Sequence, residues 1–139
     1  MSIRTVLLPL FVHVLLTFVL GFWAAYLRVQ AVRTRAVHPR DVSLRELNWP
    51  REVLKVTHAF DNQLEMPLLY YVLTILAWLT KQADLLFVLL AWVFVVLRLL
   101  HAAVHVSSNN LRQRGLLFIS GGFVLAVMWT IFIVRVVLV

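Results

Sequence analysis

Long apolar segments separated by short polar ones dominate this chain. Three segments are almost free of charged residues, at 3–27, 85–97 and 115–134. A helix that crosses a bilayer needs roughly 20 mostly apolar residues. The first and last segments reach that length alone, and the middle one reaches it when it is extended to about residue 105. The pattern therefore predicts at least three membrane-spanning helices.

A fourth apolar segment, residues 66–79, has only 14 residues. It can span a bilayer only if the helix also includes the polar stretch before it, from about residue 53. We therefore expect a single domain over residues 1–139 with four helices, at about 3–27, 53–79, 85–106 and 115–138. Short connections between sequential spans favour antiparallel neighbours. The predicted fold class is all-α: a polytopic membrane protein built as a four-transmembrane-helix up-down bundle.

The charged residues are unevenly placed along the chain, which has 13 Lys and Arg against 6 Asp and Glu. Nine basic residues lie on one side of the predicted bundle: Arg28, Arg33, Arg35, Arg40, Arg45, Arg51, Lys55, Arg112 and Arg114. The other side has three: Arg4, Lys81 and Arg135. The positive-inside bias then predicts cytoplasmic basic loops and both termini on the opposite side. Topology and contact with anionic lipid explain the basic excess, so we expect no nucleic-acid partner.

The predicted cytoplasmic loop, residues 28–52, contains one local structural signal. The sequence SLRE at residues 43–46 fits a capping box, which predicts a short helical turn. Pro50 follows and is suited to the first turn of the second helix.

Polar residues form stripes on two of the predicted helices. The stripe on the second helix comprises Lys55, His58, Asn62 and Glu65, with Asp61 near its edge. The stripe on the third helix comprises Arg98, His101 and His105. An unpaired charge within a span costs roughly 2.5–3.5 kcal/mol, so we expect Arg98 to pair with Glu65 at a comparable depth. Such a pair could serve only to hold the two helices in register, but the surrounding polar groups favour a ligand site near the cytoplasmic ends.

Two further residues carry structural predictions within the apolar segments. Pro67 cannot donate a hydrogen bond to the carbonyl group of Gln63, so the second helix should kink where its polar half ends. His13 is isolated in the first span. We expect it to be a packing histidine that is hydrogen-bonded to a neighbouring helix.

The first stripe resembles a motif of the MAPEG family, the membrane-associated proteins in eicosanoid and glutathione metabolism. That family has the pattern Arg-Ala-x-x-Asn-x-x-Glu-x-x-Pro on its second helix. The sequence HAFDNQLEMP, residues 58–67, has Ala59, Asn62 and Glu65 in the same register. It departs from the pattern in two ways, since His58 stands at the arginine position and Pro67 comes one residue early.

The second stripe resembles the family motif of the third helix, where an arginine is followed by His or Tyr at +3 and Tyr at +7. Arg98 and His101 match, whereas His105 stands at the tyrosine position. A further family arginine at +14 or +16 corresponds to Arg112 or Arg114, and the spacing does not decide between them. Phe118 and Gly121 match the aromatic residue and glycine that follow.

The resemblance implies a homotrimer of four-helix subunits with glutathione bound between subunits near the cytoplasmic side. It implies that Asn62 and Glu65 contact the glutathione backbone, that Arg98 is the buried partner of Glu65, and that Arg112 or Arg114 stabilises the thiolate. It implies that Arg28 meets a glutathione carboxylate. The motif positions of His58, His101 and His105 complete the candidate binding set. The chain contains no cysteine, so thiol chemistry requires a thiol that the protein binds.

Three functions are consistent with these residues. The first is a glutathione-dependent transferase or peroxidase that acts on lipophilic electrophiles dissolved in the bilayer. The second is a non-enzymatic accessory or scaffold subunit of a larger membrane complex, because a neutral histidine at position 58 or 105 does not replace the family residue. The third is a metal- or haem-binding bundle that uses His58, His101 and His105, since histidines at i and i+4 can share one metal ion.

Overall fold

The computed structural model describes residues 1–44 and 48–138, and these form five α-helices and one 3-10 helix, without a β-strand. The helices are α1 (Ile3–Arg33), α2 (Arg51–Asn62), α3 (Met66–Leu79), α4 (Leu85–Val106) and α5 (Leu111–Leu138), with the 3-10 helix at Pro39–Val42. The predicted all-α class is confirmed. The predicted capping box at residues 43–46 extends outside the described residues.

Side-chain caps explain where three of the helices begin. The Ser2 hydroxyl accepts a hydrogen bond from the Thr5 amide at the start of α1, and Asp84 accepts one from Phe87 at the start of α4. Asn110 likewise accepts from the Gln113 amide at the start of α5. Each cap satisfies an amide group that has no partner within its helix. The α4 bounds agree with the prediction, whereas α1 continues to Arg33 and α5 begins at Leu111.

The predicted helix at 53–79 is two helices, which is the main difference from the sequence-based topology. The chain leaves helical geometry after Asn62 and resumes it at Met66. Pro67 lies in the first turn of α3, where its missing amide hydrogen costs nothing. The irregularity lies close to Pro67, as predicted, but the helix is interrupted there and not only kinked.

The ends of the bundle are joined by contacts between antiparallel neighbours. At one end, the Lys55 ammonium on α2 donates to the backbone carbonyl group of Ser107, just after α4. At the other end, the Arg135 guanidinium on α5 lies 2.8 Å from the Asp84 carboxylate before α4. We call the first of these the basic end, because it includes the loop after α1 and the α4–α5 connection, in or beside which most of the Arg residues lie.

Three helices are long and apolar enough to cross a membrane, namely α1, α4 and α5. Large apolar side chains such as Phe11, Phe22 and Phe123 are exposed on their outer faces, as lipid contact requires. Helix α3 has 14 residues and a length of about 21 Å, which is less than the roughly 30 Å of a bilayer core. A fourth crossing therefore needs α2 as well as α3.

Helix α4 is central, and it contacts α1, α2 and α5. Its inner face packs Phe94 and Val95 against Tyr70 and Leu73 of α3 and Leu125 of α5 in one apolar core. Toward the basic end, the same face carries the polar residues of the third-helix stripe. The rigid apolar half of α4 thus holds its polar half in place.

Candidate functional site

A polar cavity of about 430 Å³ lies between α2, α4 and α5 near the basic end. We call it the histidine cavity. It is lined by His58, Asn62, His101, His105, Leu111, Arg114, Gly115, Phe118 and Ile119. Among the described residues, its lining includes one permanent cation, Arg114, and no carboxylate. A cavity of this composition suits an anion that also has an apolar part.

The histidines of this cavity are held close to one another by both helices. The rings of His101 and His105, one turn apart on α4, are 5.7 Å apart between centroids. The ring of His58 on α2 is 6.5 Å from that of His105. His101 and His105 are 2% and 3% exposed, respectively, and Nδ1 of His101 is buried without a hydrogen-bond partner in the described part of the chain. The predicted convergence of the two polar stripes is therefore present at these three positions.

A second and larger cavity, of about 910 Å³, lies on the other side of α2. We call it the loop groove, because α1, α2 and the loop between them enclose it. It is lined by Gly21, Ala24, Ala25, Arg28, Val29, Val42, Leu44, Trp49, Leu54, Thr57, His58, Phe60, Asp61, Leu64 and Glu65. The guanidinium group of Arg28 lies 5.4 Å from the centre of the Trp49 ring, a distance at which cation–π attraction helps to hold it. The hydroxyl group of Thr57 is buried and has no hydrogen-bond partner within residues 1–44 and 48–138.

His58 belongs to both cavities. Its side chain is exposed on α2, and it lines the histidine cavity as well as the loop groove. A ligand that extends across α2 at this residue would reach both. Seven of the nine predicted site residues therefore lie in two adjoining cavities, and Arg98 and Arg112 line neither.

The predicted ion pair between Arg98 and Glu65 is wrong. The ion pairs among the described residues join Lys55 to Glu52 and Arg135 to Asp84. Glu65 is exposed and lines the loop groove. Because α2 ends at Asn62, Glu65 no longer continues the helical stripe, and it does not form an ion pair with Arg98.

Arg98 is instead fully buried beside the break between α2 and α3. Its Nη2 atom donates to the backbone carbonyl group of Asn62 at 3.1 Å and to Oε1 of Gln63 at 3.3 Å. That carbonyl group has lost its helical partner through the break, so the guanidinium group stabilises the interrupted backbone. The atoms Nε and Nη1 have no partner among the described residues.

Gln63 is the central polar residue of this region, and the sequence analysis did not identify it. Its Oε1 atom is 3.0 Å from Nε2 of His13 as well as within reach of Arg98. Nδ1 of His13 is hydrogen-bonded to the Tyr71 hydroxyl group. The expectation that His13 bonds to a neighbouring helix is thus confirmed. The sequence feature that could have identified Gln63 is its position just before the break at Pro67. There its side-chain amide, at the end of α2, can form hydrogen bonds with α1 and α4.

The structure distinguishes between Arg112 and Arg114, which the motif spacing could not do. Arg114 lines the histidine cavity, and its Nη1 atom donates to Oδ1 of Asn109 at 2.6 Å. Asn109 has a positive φ of 51°, so the turn before α5 presents its side chain to Arg114. Arg112 is exposed and lines neither cavity. Of the predicted pair, Arg114 is therefore the arginine that is placed at the site.

The three histidines do not form a metal centre in this arrangement. The described part of the chain contains no group of three or more His, Asp or Glu residues placed to hold one metal ion.

These features define an integral membrane protein with an all-α bundle and a polar site at one end. A family model, that of the MAPEG family, matches residues 6–134, so the chain belongs to the MAPEG family. Comparisons with curated proteins and with solved structures find no match. The family recognition from the two stripes is confirmed over nearly the whole chain.

Proposed function

We propose that this protein is a glutathione-dependent transferase or peroxidase that acts on lipophilic electrophiles. The single observation that supports this most is the histidine cavity, where Arg114 and the imidazole groups meet and the part of the chain that the structure describes contributes no carboxylate to the lining. A thiol ionises more readily beside a fixed cation, and its anion is the nucleophile. The cavity thus has the chemistry that a bound thiol needs.

The loop groove suits the remainder of a glutathione molecule. Glutathione carries one ammonium group and two carboxylates, and the groove offers Arg28 for a carboxylate and Asp61 and Glu65 for the ammonium group. Arginine is well suited to the first task, because its planar guanidinium group matches a carboxylate. The ligand would then cross α2 at His58 and place its thiol in the histidine cavity.

The proposed reaction brings two partners together from two phases. Glutathione enters from the aqueous side at the basic end, and the electrophile enters from the bilayer past Phe118 and Ile119 of α5. In transfer, the thiolate forms a carbon–sulfur bond and a leaving group departs or a double bond takes up a proton. In peroxide reduction, a sulfur–oxygen bond forms, the oxygen–oxygen bond breaks, and the alkoxide takes up a proton.

We further propose a homotrimer that spans the membrane four times, with the basic end in the cytoplasm. The resemblance supports the trimer, and the excess of basic residues at one end supports the orientation. Light scattering with correction for detergent would test the trimer. Labelling of single cysteines placed in the loop after α1 and at the N-terminus would test the orientation, since the chain has no native cysteine.

Glutathione binding to the detergent-purified protein, measured by calorimetry, is the first test. We expect binding in the millimolar range or tighter, followed by turnover with a model electrophile or a lipid hydroperoxide. Arg112→Ala is the matched control for Arg114→Ala, since both remove one arginine from the same turn of α5. Absence of binding and of turnover at saturating glutathione would exclude the proposed activity.

A second candidate is an accessory or scaffold subunit that keeps the family bundle with an altered site. The observation that favours it is that His58 and His105 occupy cavity positions where the family motifs have Arg and Tyr. This candidate predicts that the protein purifies with another membrane protein in a fixed ratio. Purification as an active homo-oligomer would exclude it.

A further inference from the structure

The contact between Asn62 and His105 determines which ring nitrogen of His105 carries a proton. The Nδ2 atom of Asn62 lies 3.3 Å from Nδ1 of His105. A carboxamide nitrogen can only donate, so Nδ1 of the imidazole must accept. In an uncharged imidazole the proton is then on the other nitrogen. His105 therefore has an Nε2–H donor.

This donor is available to the histidine cavity. His105 lines the cavity, and Nε2 has no hydrogen-bond partner among the described residues, since the ring's bond to Asn62 uses Nδ1. No hydrogen bond joins His105 to the rings of His101 or His58 among the described residues; the ring centroids are 5.7 and 6.5 Å from that of His105. The charged group that lines the same cavity is Arg114. An anion in the cavity would thus meet one cation and one oriented neutral donor.

We propose that Asn62 is a positioning residue that holds His105 as its Nε2–H tautomer, so that His105 donates a hydrogen bond to the thiolate of bound glutathione. This inference rests on the proposed function and assigns Asn62 a different task from the glutathione-backbone contact that the motif implies. Loss of the Asn62 amide would free the ring to take the Nδ1–H form, in which Nε2 has a lone pair directed at the anion. That form repels a thiolate and favours the neutral thiol.

The proposal predicts that Asn62 affects the ionisation of the bound thiol only when residue 105 is a histidine. A tyrosine at that position carries an O–H donor that has no alternative tautomer. His105→Tyr should therefore retain the stabilised thiolate and no longer depend on Asn62. If Asn62 contacted glutathione directly, its loss would change the ionisation of the bound thiol equally with histidine or tyrosine at position 105.

The first measurement is the nitrogen NMR spectrum of the purified full chain with isotope-labelled histidine, without glutathione. The two ring nitrogens of an uncharged histidine have well-separated shifts, and His105→Tyr identifies the signals that belong to His105. We expect a protonated Nε2 and an unprotonated Nδ1 in the wild type, and a mixture of tautomers in Asn62→Leu. A protonated Nδ1 in the wild type would overturn the proposal.

The second measurement is a double-mutant cycle read by the ultraviolet absorbance of the bound thiolate as a function of pH. In the wild-type background, Asn62→Leu should lower the ionisation constant of the bound thiol about tenfold, because one hydrogen bond to an anion is lost. In the His105→Tyr background, the same substitution should leave the constant within about twofold. An equal decrease in both backgrounds would show that Asn62 acts on glutathione directly and would overturn the proposal.

The two measurements separate this inference from the proposed function. If the wild type binds no glutathione, the function fails and the thiolate part of the inference fails with it, whereas the NMR spectrum still decides the tautomer. If glutathione binds and ionises but the cycle shows no coupling, the function stands and the inference is wrong.

Discussion

The histidine cavity and the loop groove share His58 and differ in charge. The lining of the histidine cavity has Arg114 as its charged group, surrounded by neutral hydrogen-bonding groups. The loop groove has Arg28 together with the two carboxylates of Asp61 and Glu65. The first composition favours an anion, and the second favours a ligand with charges of both signs. The difference shows that one polar helix, α2, can line a cavity suited to an anion on one side and a groove suited to groups of both charges on the other.

The strongest test of this comparison removes the cation of the histidine cavity. Arg114→Ala should reduce turnover about 100-fold at saturating glutathione, because loss of one charged group that stabilises a reacting anion typically has that effect. Initial rates with a soluble electrophile would measure it, and Arg112→Ala should retain most of the activity. Equal losses in both variants would mean that the two arginines act only through the general charge of the basic end.

The break between α2 and α3 lies at the end of the helix that both cavities share, and Gln63 stabilises it through His13 and Arg98. Gln63→Leu should lower the free energy of unfolding by about 2 kcal/mol, because His13 and Arg98 each lose a buried partner. Thermal denaturation in detergent would measure the change. Leu64→Ala, at an exposed neighbouring position, should have a much smaller effect, and a similar loss in both variants would argue against the Gln63 network.

The loop groove should control glutathione affinity without controlling thiol ionisation. Arg28→Gln and Glu65→Gln should each raise the dissociation constant for glutathione about tenfold, since each removes one charge-assisted hydrogen bond. The pKa of the bound thiol should stay the same. Calorimetry and the thiolate titration would measure the two quantities. A changed thiol pKa would contradict the division of tasks between the two cavities.

The end of the bundle opposite the basic end, where Asp84 meets Arg135, is outside both cavities. Its charge pair should make the stability of the protein depend on pH in the acidic range and should not affect glutathione binding. Burial opposes the ionisation of Asp84, but the Phe87 amide and Arg135 outweigh it, and the pKa of Asp84 is lowered from its usual value. The carboxylate therefore contributes stability above its unfolded-state pKa, near 3.9, and that contribution is lost as the pH falls through the lower folded-state value. The contribution should be below about 1 kcal/mol, because the Asp84 side chain is 46% exposed and solvent screens such pairs.

Asp84→Asn isolates this charge, since asparagine remains a good helix cap. The difference in unfolding free energy between wild type and Asp84→Asn should be present near neutral pH, should begin to decrease at about pH 4, and should disappear below the lowered folded-state pKa of Asp84. Glutathione affinity should be unchanged. An effect of Asp84→Asn on affinity would show that the two ends of the bundle are coupled.

Much of the fold could be predicted from the sequence, because the apolar length of a span is a local property. The helices α1, α4 and α5 were predicted with small errors at their ends. The polar stripe of α4 was also predicted correctly, since His101 and His105 lie on one regular helix. Their position beside His58 was expected because the two polar stripes lie at the same ends of neighbouring predicted spans.

The errors arose where the backbone stopped being regular. Helical periodicity placed Glu65 on the same face as Asn62 and opposite Arg98, but the chain leaves the helix after Asn62. Glu65 then joined the loop groove, and Arg98 took a backbone carbonyl group and Gln63 as partners. Pattern analysis assumes a constant rotation per residue, so the face that it assigns to a position beyond a break, such as Glu65, is no longer reliable.

By itself, the sequence determined the class of the protein, its family, and the set of residues from which a site could be built, because composition and motif register do not depend on packing. The tertiary structure alone decided how that set is divided. It placed Arg114 in the histidine cavity and Arg112 outside it, and it gave Gln63 a central role. These outcomes depend on the exact turn before α5 and on the break after α2, which only the packing of all five helices specifies.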